Sequence, residues 1–315
     1  MTDGTAIRVE QVCKSFGSVQ AVQDLDLCIP AGCIYGVLGP NGAGKTTAIR
    51  MLMDIIAPDR GRIEVLGETV LRRVKDRVGY LPEERGLYRK MRVDDTLKYF
   101  GTIKGVPRRR LRRIIGERLR EVGLGECTAR HVDELSKGMQ QKLQFLAATI
   151  ADPDLLILDE PFSGLDPINL EVLTRRILDM RDEGRTILLS THMMEQAQRL
   201  CESVLLIHKG RKVLDGPLRE VLRGADSRTI ILETQETPPD LSGLPLVQSV
   251  EKKNRHHEIR LAPGTDPQDL LAALVGRCHI LRFEVKRPTL HEVFLARAGE
   301  TAEETTATAE WGGRT

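Results

Sequence analysis

The chain has 315 residues, 41% apolar, 29% charged and only 3% aromatic, with a formal net charge of +2. This composition is that of an ordinary soluble globular protein, long enough for one large domain plus a smaller one. The near-neutral balance excludes global steering toward nucleic acid and leaves function to local sites. No run approaches the roughly 18 apolar residues of a membrane span, and Met1-Thr2-Asp3-Gly4 lacks a signal-peptide shape, so a cytoplasmic chain is expected. Cys13, Cys28, Cys33, Cys127, Cys201 and Cys278 form no C-x-x-C pair and are expected to be reduced core thiols rather than a metal site.

Ile7 to Val12 alternates apolar and polar residues as a half-buried strand does, Lys14 to Gly17 reads as a turn, and Ala21 to Leu27 as a second, antiparallel strand. Phe16 suits either stacking on a flat base, worth roughly 1–3 kcal/mol, or a place in the core. Cys33 to Leu38 reads as a short buried strand, and Ala48 to Ile56 is rich in helix formers. Between them stands Gly39-Pro40-Asn41-Gly42-Ala43-Gly44-Lys45-Thr46-Thr47, the G-x-x-x-x-G-K-[ST] pattern in the strand–loop–helix context that it requires. The glycines allow positive φ and bring successive N–H groups to phosphate oxygens at a helix N-terminus. Lys45 supplies a mobile positive charge for the β- and γ-phosphates, and the Thr46 hydroxyl suits Mg²⁺.

After a break at Ala57 to Gly61, Arg62 to Gly67 and Arg77 to Leu81 read as strands, the latter ending at Pro82-Glu83-Glu84-Arg85-Gly86. From Val93 to Ile150 the texture is helical. Asp94 to Ile103 is one helix; Pro107 opens another as a first-turn proline, with Leu111, Ile114, Ile115, Leu119 and Val122 on one face. Arg108, Arg109, Arg110, Arg112 and Arg113 lie on its other face, which is either solvated or in contact with lipid headgroups or an acidic partner. Leu135-Ser136-Lys137-Gly138 leads into a helix with Met139, Leu143, Leu146, Ala147 and Ile150 at the 3.6 period.

Asp154-Leu155-Leu156-Ile157-Leu158 suits a strand buried on both faces and ends in Asp159-Glu160. Asp166-Pro167 caps a helix from Ile168 to Met180. Thr186 to Ser190 and Val204 to Ile207 are further buried strands around a helix expected to hold His192. Alternating strands and helices with a P-loop imply an α/β domain ending near residue 225. Beyond it, Thr229 to Glu233 and Ile280 to Val285 read as strands, Pro238-Pro239 as a break, and Thr289-Leu290-His291-Glu292 as a capping box opening a short helix to Arg297. Residues 227–298 are thus expected to form a small α+β appendage, with His256 and His257 exposed, and Gly299 to Thr315 a disordered tail.

Asp159 and Glu160, two acids ending a strand beside a P-loop, fall where a doubly wound sheet places ligands. Phosphate chemistry uses one such acid for Mg²⁺ and one to orient or deprotonate the attacking water. With these motifs in order, residues 6–225 resemble the ATP-binding-cassette (ABC) ATPases. The matching pieces are Gly39 to Thr47 (Walker A), Leu135 to Met139 (signature), Leu155 to Glu160 (Walker B and the following Glu), Ser163 to Asp166 (D-loop) and His192 (switch histidine). The resemblance implies a P-loop NTPase fold with a mixed sheet core, an antiparallel β subdomain and an α-helical subdomain.

It also implies ATP and Mg²⁺ as ligands and two such domains paired head-to-tail, each ATP lying between one P-loop and the partner's Ser136-Lys137-Gly138. By the same resemblance Glu160 is the general base, Asp159 a Mg²⁺ partner through water, His192 a γ-phosphate sensor and Phe16 the adenine-stacking residue, with Asp166 near the nucleotide. Glu83 stands where the family usually has Gln and remains able to ligate Mg²⁺; Met139 replaces the commoner Gln or Glu. Leu81-Pro82-Glu83-Glu84-Arg85-Gly86-Leu87-Tyr88 and Pro288 to Leu295 resemble the drug- or sodium-efflux branch. The expected function is the ATP-hydrolysing subunit of a membrane exporter, held at the inner face of the membrane by a separate permease that docks on Glu83 to Lys104. A cassette ATPase of DNA repair needs a long coiled coil, and no sustained heptad run occurs. A ribosome-associated protein would normally carry two cassettes, and only one Walker A is present. A non-enzymatic binding module is disfavoured by the intact Lys45, Asp159 and Glu160.

Overall fold

The computed structural model describes residues 4–69, 71–84, 86–223, 228–236, 238, 240–286 and 288–297. The boundary expected near residue 225 and the tail from Gly299 to Thr315 lie outside the described residues. Two compact units divide between Leu218 and Arg219.

In chain order the first unit contains β1 (Thr5–Phe16), β2 (Val19–Pro30), β3 (Ile34–Leu38), α1 (Lys45–Leu52), β4 (Arg60–Val65), β5 (Val78–Leu81), α2 (Val93–Ile103) and α3 (Arg108–Glu121). It continues with α4 (Lys137–Thr149), β6 (Leu155–Asp159), α5 (Pro167–Asp182), β7 (Thr186–Thr191), α6 (Met194–Leu200), β8 (Ser203–His208) and β9 (Arg211–Pro217); α7 (Leu218–Arg223) begins at its end. β3, β6 and β7 are buried at every residue, which is why they read as unbroken apolar runs. They occupy the middle of a six-stranded sheet of order β5-β6-β7-β3-β8-β9, parallel from β5 to β8 with β9 antiparallel at the edge. Register places Leu38 beside Thr191 and Asp159 beside Ser190. The segments that follow β3, β6 and β7 therefore leave the sheet together, at its carboxyl edge.

A three-stranded antiparallel sheet, β2-β1-β4, packs its apolar face with α1 and the main sheet into one core that includes Ile7, Val9, Leu27, Ile49, Leu52 and Ile157. α2, α3 and α4 form a second core around Leu97, Leu111, Leu119, Leu143 and Leu146. The mixed sheet, the antiparallel sheet and the helical block are the architecture expected.

Several local expectations are corrected. Phe16 pairs with Val19, so the turn is only Gly17-Ser18 and Lys14 to Phe16 belong to β1. α1 stops at Leu52 because Asp54 takes a left-handed φ of 54°, leaving Ile55 56% exposed outside the helix. Pro107 is the residue before α3 rather than its first turn. His192 lies in the bend between β7 and α6, not in a helix. The arginines at 108–110, 112 and 113 are exposed on α3, with Arg110 3.5 Å from Asp152. All six thiols are free, but only Cys33, Cys127 and Cys201 are buried; Cys28 is exposed.

The second unit is an antiparallel sheet, β11-β12-β10-β13, of β10 (Thr229–Thr234), β11 (Val247–Lys252), β12 (His257–Leu261) and β13 (Ile280–Val285). α8 (Pro267–Leu274) precedes β13 and α9, residues 290–297, follows it. Ile230, Leu232, Ile259, Leu261, Leu270 and Leu274 form its core. The capping box at the start of α9 is present: Glu292 accepts from the Thr289 N–H at 2.9 Å, and the Glu292 N–H donates to Thr289 Oγ1 at 3.2 Å. Contrary to expectation, His256 and His257 are half-buried; His257 opens β12, an interior strand, and His256 immediately precedes it. Burial lowers the His257 pKa, with Lys252 and His256 adding to the shift.

Leu188 sits fully buried in β7 between β6 and β3. Leu188→Ala is expected to destabilise the first unit by about 2–5 kcal/mol, read as an earlier denaturant transition for that unit. An unchanged midpoint would contradict this packing.

Candidate nucleotide site

The loop between β3 and α1 depends on its glycines. Gly39, Gly42 and Gly44 have φ of 151°, 78° and 110°. A Cβ on Gly39 would stand 2.2 Å from the Ile207 carbonyl oxygen, and one on Gly44 2.3 Å from that of Ala21. At these two positions both conformation and space exclude a side chain. Gly44 caps α1 without a side-chain hydrogen bond, and no acid occupies the first turn, so the opening N–H groups of the helix keep their attraction for an anion. Lys45 folds back over the loop: Nζ donates to the carbonyls of Gly39 (2.8 Å) and Pro40 (3.2 Å), and its side chain is only 5% exposed.

The acids arrive from β6. Asp159 is fully buried; Oδ1 accepts from the hydroxyls of Thr46 (3.4 Å) and Ser190, while Oδ2 has no hydrogen-bond partner. Burial raises the Asp159 pKa against the opposing effect of the two hydroxyls. A buried, half-satisfied carboxylate beside a hydroxyl is a donor set suited to a hard divalent cation. Glu160 has a φ of 49°, a strained region for a side-chain-bearing residue, and its N–H is held by the Ser190 carbonyl (3.2 Å) and Oγ (3.1 Å). This bend aims the carboxylate across the loop. Oε1 lies 3.2 Å from Lys45 Nζ, an ion contact in which no donor is directed at the oxygen, and Oε2 lies 2.9 Å from His192 Nδ1.

The resulting cavity of about 420 Å³ is lined by Asn41, Gly42, Ala43, Gly44, Lys45, Thr46 and Thr47, with Glu83 and Glu160. Asp159 lies beneath it through Thr46. Val19, Gln20 and Ala21 from the start of β2, with Lys209 and Gly210 from the β8–β9 turn, complete the lining. Those five carried no motif. Ser190, which holds both acids, was equally silent in the sequence. Gln141 and Gln144 are also buried; they donate to the Pro161 carbonyl (3.1 Å) and to those of Pro82 (3.2 Å) and Glu84 (3.1 Å). The glutamines at 140, 141 and 144 along α4 were the available signal for that role.

Phe16, Ser136, Lys137, Gly138, Asp166 and His192 do not line the cavity. Phe16 is 51% exposed at the end of β1, with Lys14 Nζ 5.6 Å from its ring centroid. Ser136 caps α4, accepting from the Met139 N–H at 3.3 Å, and is exposed with Lys137. Asp166 caps α5 by accepting from the Asn169 N–H at 2.9 Å, which holds its carboxyl pKa down. A Cβ on Gly138 would meet Asn169 Nδ2 at 2.7 Å, so Gly138 and the Asp166 cap adjoin.

The ABC transporter family model matches residues 22–163, and that of the ATP-binding protein DrrA1-3-like C-terminal domain matches residues 216–298. The chain is 37% identical to the ABC transporter ATP-binding protein YhaQ of Bacillus subtilis (strain 168), over 94% of this chain and all of that one. It is 35% identical to the Nod factor export ATP-binding protein I of Rhizobium sp. (strain N33), over 95% and 98% of the two chains. A solved structure of an ATP-binding subunit of an ABC transporter superposes with a TM-score of 0.65 at 30% identity, covering 70% of this chain and 93% of that one. Among the described residues no helix is long and apolar enough to cross a membrane. The P-loop cavity, the acids beneath it and these likenesses together establish that the chain belongs to the ABC transporter family, as an ATP-binding, ATP-hydrolysing subunit.

Proposed function

We propose that the chain works as one of a head-to-tail pair of ATPase subunits that power export through a separate membrane-spanning permease. The observation that carries the catalytic part is the Glu160 carboxylate, held between Lys45 Nζ and His192 Nδ1 at the P-loop cavity. In this reading Glu160 accepts the proton of the water that attacks the γ-phosphate. His192 orients that carboxylate and senses the terminal phosphate. Lys45 leaves the carbonyls of Gly39 and Pro40 to meet the phosphates, which offer a stronger charged acceptor. Thr46 and Asp159 would hold Mg²⁺, with Glu83 at the cavity wall as a further oxygen donor. Bound there, the ion would neutralise charge developing on the phosphates.

The pairing is supported by what the cavity lacks in one chain. Ser136, Lys137 and Gly138 lie outside it, with Ser136 and Lys137 exposed, and would complete the site of a facing copy. Phe16, also exposed, would take the adenine. Asp166 would act beside the signature turn through Asn169 rather than touch the nucleotide of its own chain. Permease docking is placed on the segment from Glu83 to Lys104. There Tyr88, Tyr99 and Ile103 are exposed, the two tyrosine rings meeting edge-on at 5.4 Å. The buried Gln144 ties α4 to both sides of Glu83, a direct link between that surface and the cavity. The relative named for Nod factor export supports the outward direction. The chain would then lie peripherally at the cytoplasmic face of the membrane, with no nucleic-acid partner.

Glu160→Gln should lower steady-state ATP hydrolysis by about 10²–10⁴-fold while ATP remains bound, measured by phosphate release and by nucleotide retention. Unchanged hydrolysis would reject Glu160 as the base. Mixing tests the pairing: Lys45→Ala and Ser136→Glu chains, each inactive alone, should regain hydrolysis together, since one composite site of the mixed pair keeps both native residues. No recovery on mixing, with both variants folded, would count against a site shared between copies.

A further inference from the structure

Glu160 stands at a backbone position that has to be held. Its φ of 49° lies in the left-handed region, which a residue with a side chain keeps only where its surroundings over-determine it. The restraints follow the bend in order. The Glu160 N–H donates to the Ser190 carbonyl (3.2 Å) and Oγ (3.1 Å), and the Glu160 carbonyl accepts from the Ser163 N–H at 3.2 Å. The next residue, Pro161, has no N–H, so its carbonyl is the one backbone group by which hydrogen bonding can hold it. That carbonyl accepts from Gln141 Nε2 at 3.1 Å.

Gln141 reaches the bend from a different part of the unit. Ser190 belongs to β7, the strand paired with β6, and Ser163 to the turn that follows β6. Gln141 lies on α4, whose Leu143 and Leu146 belong to the second core. It is only 5% exposed, and burying an amide costs free energy that a hydrogen bond must offset. A methionine of the same length would fill the place in α4 without that cost. The other glutamines of the helix spend their amides elsewhere: Gln140 Nε2 donates to the carbonyls of Val132 and Leu135, and Gln144 Nε2 to those of Pro82 and Glu84. Of the three, Gln141 alone is bonded to the peptide after Glu160.

We propose that Gln141 is a positioning residue for ATP hydrolysis, acting through Glu160. Its bond to the Pro161 carbonyl fixes the far side of the strained bend, as Ser190 fixes the near side, and the carboxylate stays beside Lys45 and His192. This role rests on Glu160 as the base. Gln141 does not line the nucleotide cavity, so its loss should leave ATP binding intact and act on the chemical step. A reacting group misplaced by about 1 Å loses on the order of 10²-fold in rate.

The test uses the full chain carrying Gln141→Met, equal in length and without a donor. Its kcat should fall by about 10- to 100-fold, while KM and the affinity for a fluorescent ATP analogue stay within about twofold of native. Gln141→Asn, which keeps the amide but draws it back by one methylene, should do the same and stands in if the methionine variant does not fold. The Glu160→Gln background separates positioning from a general weakening of the unit. There the carboxylate to be positioned is gone, so adding Gln141→Met should lower the residual turnover by less than about twofold. Native kcat in the Gln141 variants, a loss confined to nucleotide affinity, or an equal loss of turnover with and without Glu160 would overturn the proposal. Normal hydrolysis by Glu160→Gln would instead reject Glu160 as the base, and the role of Gln141 would fall with it.

Discussion

The candidate site depends on the parallel register of β3, β6 and β7. Because Leu38 lies beside Thr191 and Asp159 beside Ser190, the P-loop, the two acids and His192 leave the sheet at one edge. The carboxylate of Glu160 then bridges Lys45 and His192 across that edge. Lys45 and Glu160 are nearly excluded from solvent, so removing either would strand a buried charge. A buried ion pair of this kind contributes little net stability. It accompanies a carboxylate on a strained backbone position, beside both Lys45 and His192.

The same edge explains the second layer of polar groups. Ser190 serves Asp159 through its hydroxyl and Glu160 through both hydroxyl and carbonyl, so one residue of β7 orders both acids. Thr46 reaches Asp159 from α1. The partnerless Asp159 Oδ2 is the unsatisfied end of this network, and a divalent cation is the chemistry that would satisfy it. From the helical block, Gln141 and Gln144 grip the carbonyls that flank Glu160 and Glu83. These bonds tie α4 to the loops that carry Glu160 and Glu83.

Much of this was legible in the chain because the decisive interactions are local. The P-loop spelling encodes positive φ and an uncapped helix start within a few residues, and the fully buried strands announce themselves as apolar runs. The antiparallel elements are less legible in the chain. The hairpin of β1 and β2 extended farther than alternation suggested because cross-strand pairing, not residue type, carries it to Phe16 and Val19. β12 contains His257, Glu258 and Arg260, so its burial depends on β10 and β11 at its flanks. α8 opens with Asp266-Pro267, the same cap signature as Asp166-Pro167.

By itself the sequence determined which nucleotide chemistry to expect: a P-loop spelling with its lysine and two acids at a strand end, all set by residue type and short spacing. Only the tertiary structure decided which of these groups meet in one chain. Lys45, Thr46, Glu83, Asp159, Glu160 and His192 converge, although they are scattered over nearly 150 positions, because adjacent strands end together. Phe16, Ser136 and Asp166 stay apart from that cavity, since their places at a hairpin end and at two helix caps follow from packing elsewhere. Long-range pairing of strands has no local signature, and that is the physical reason the second decision belonged to the fold.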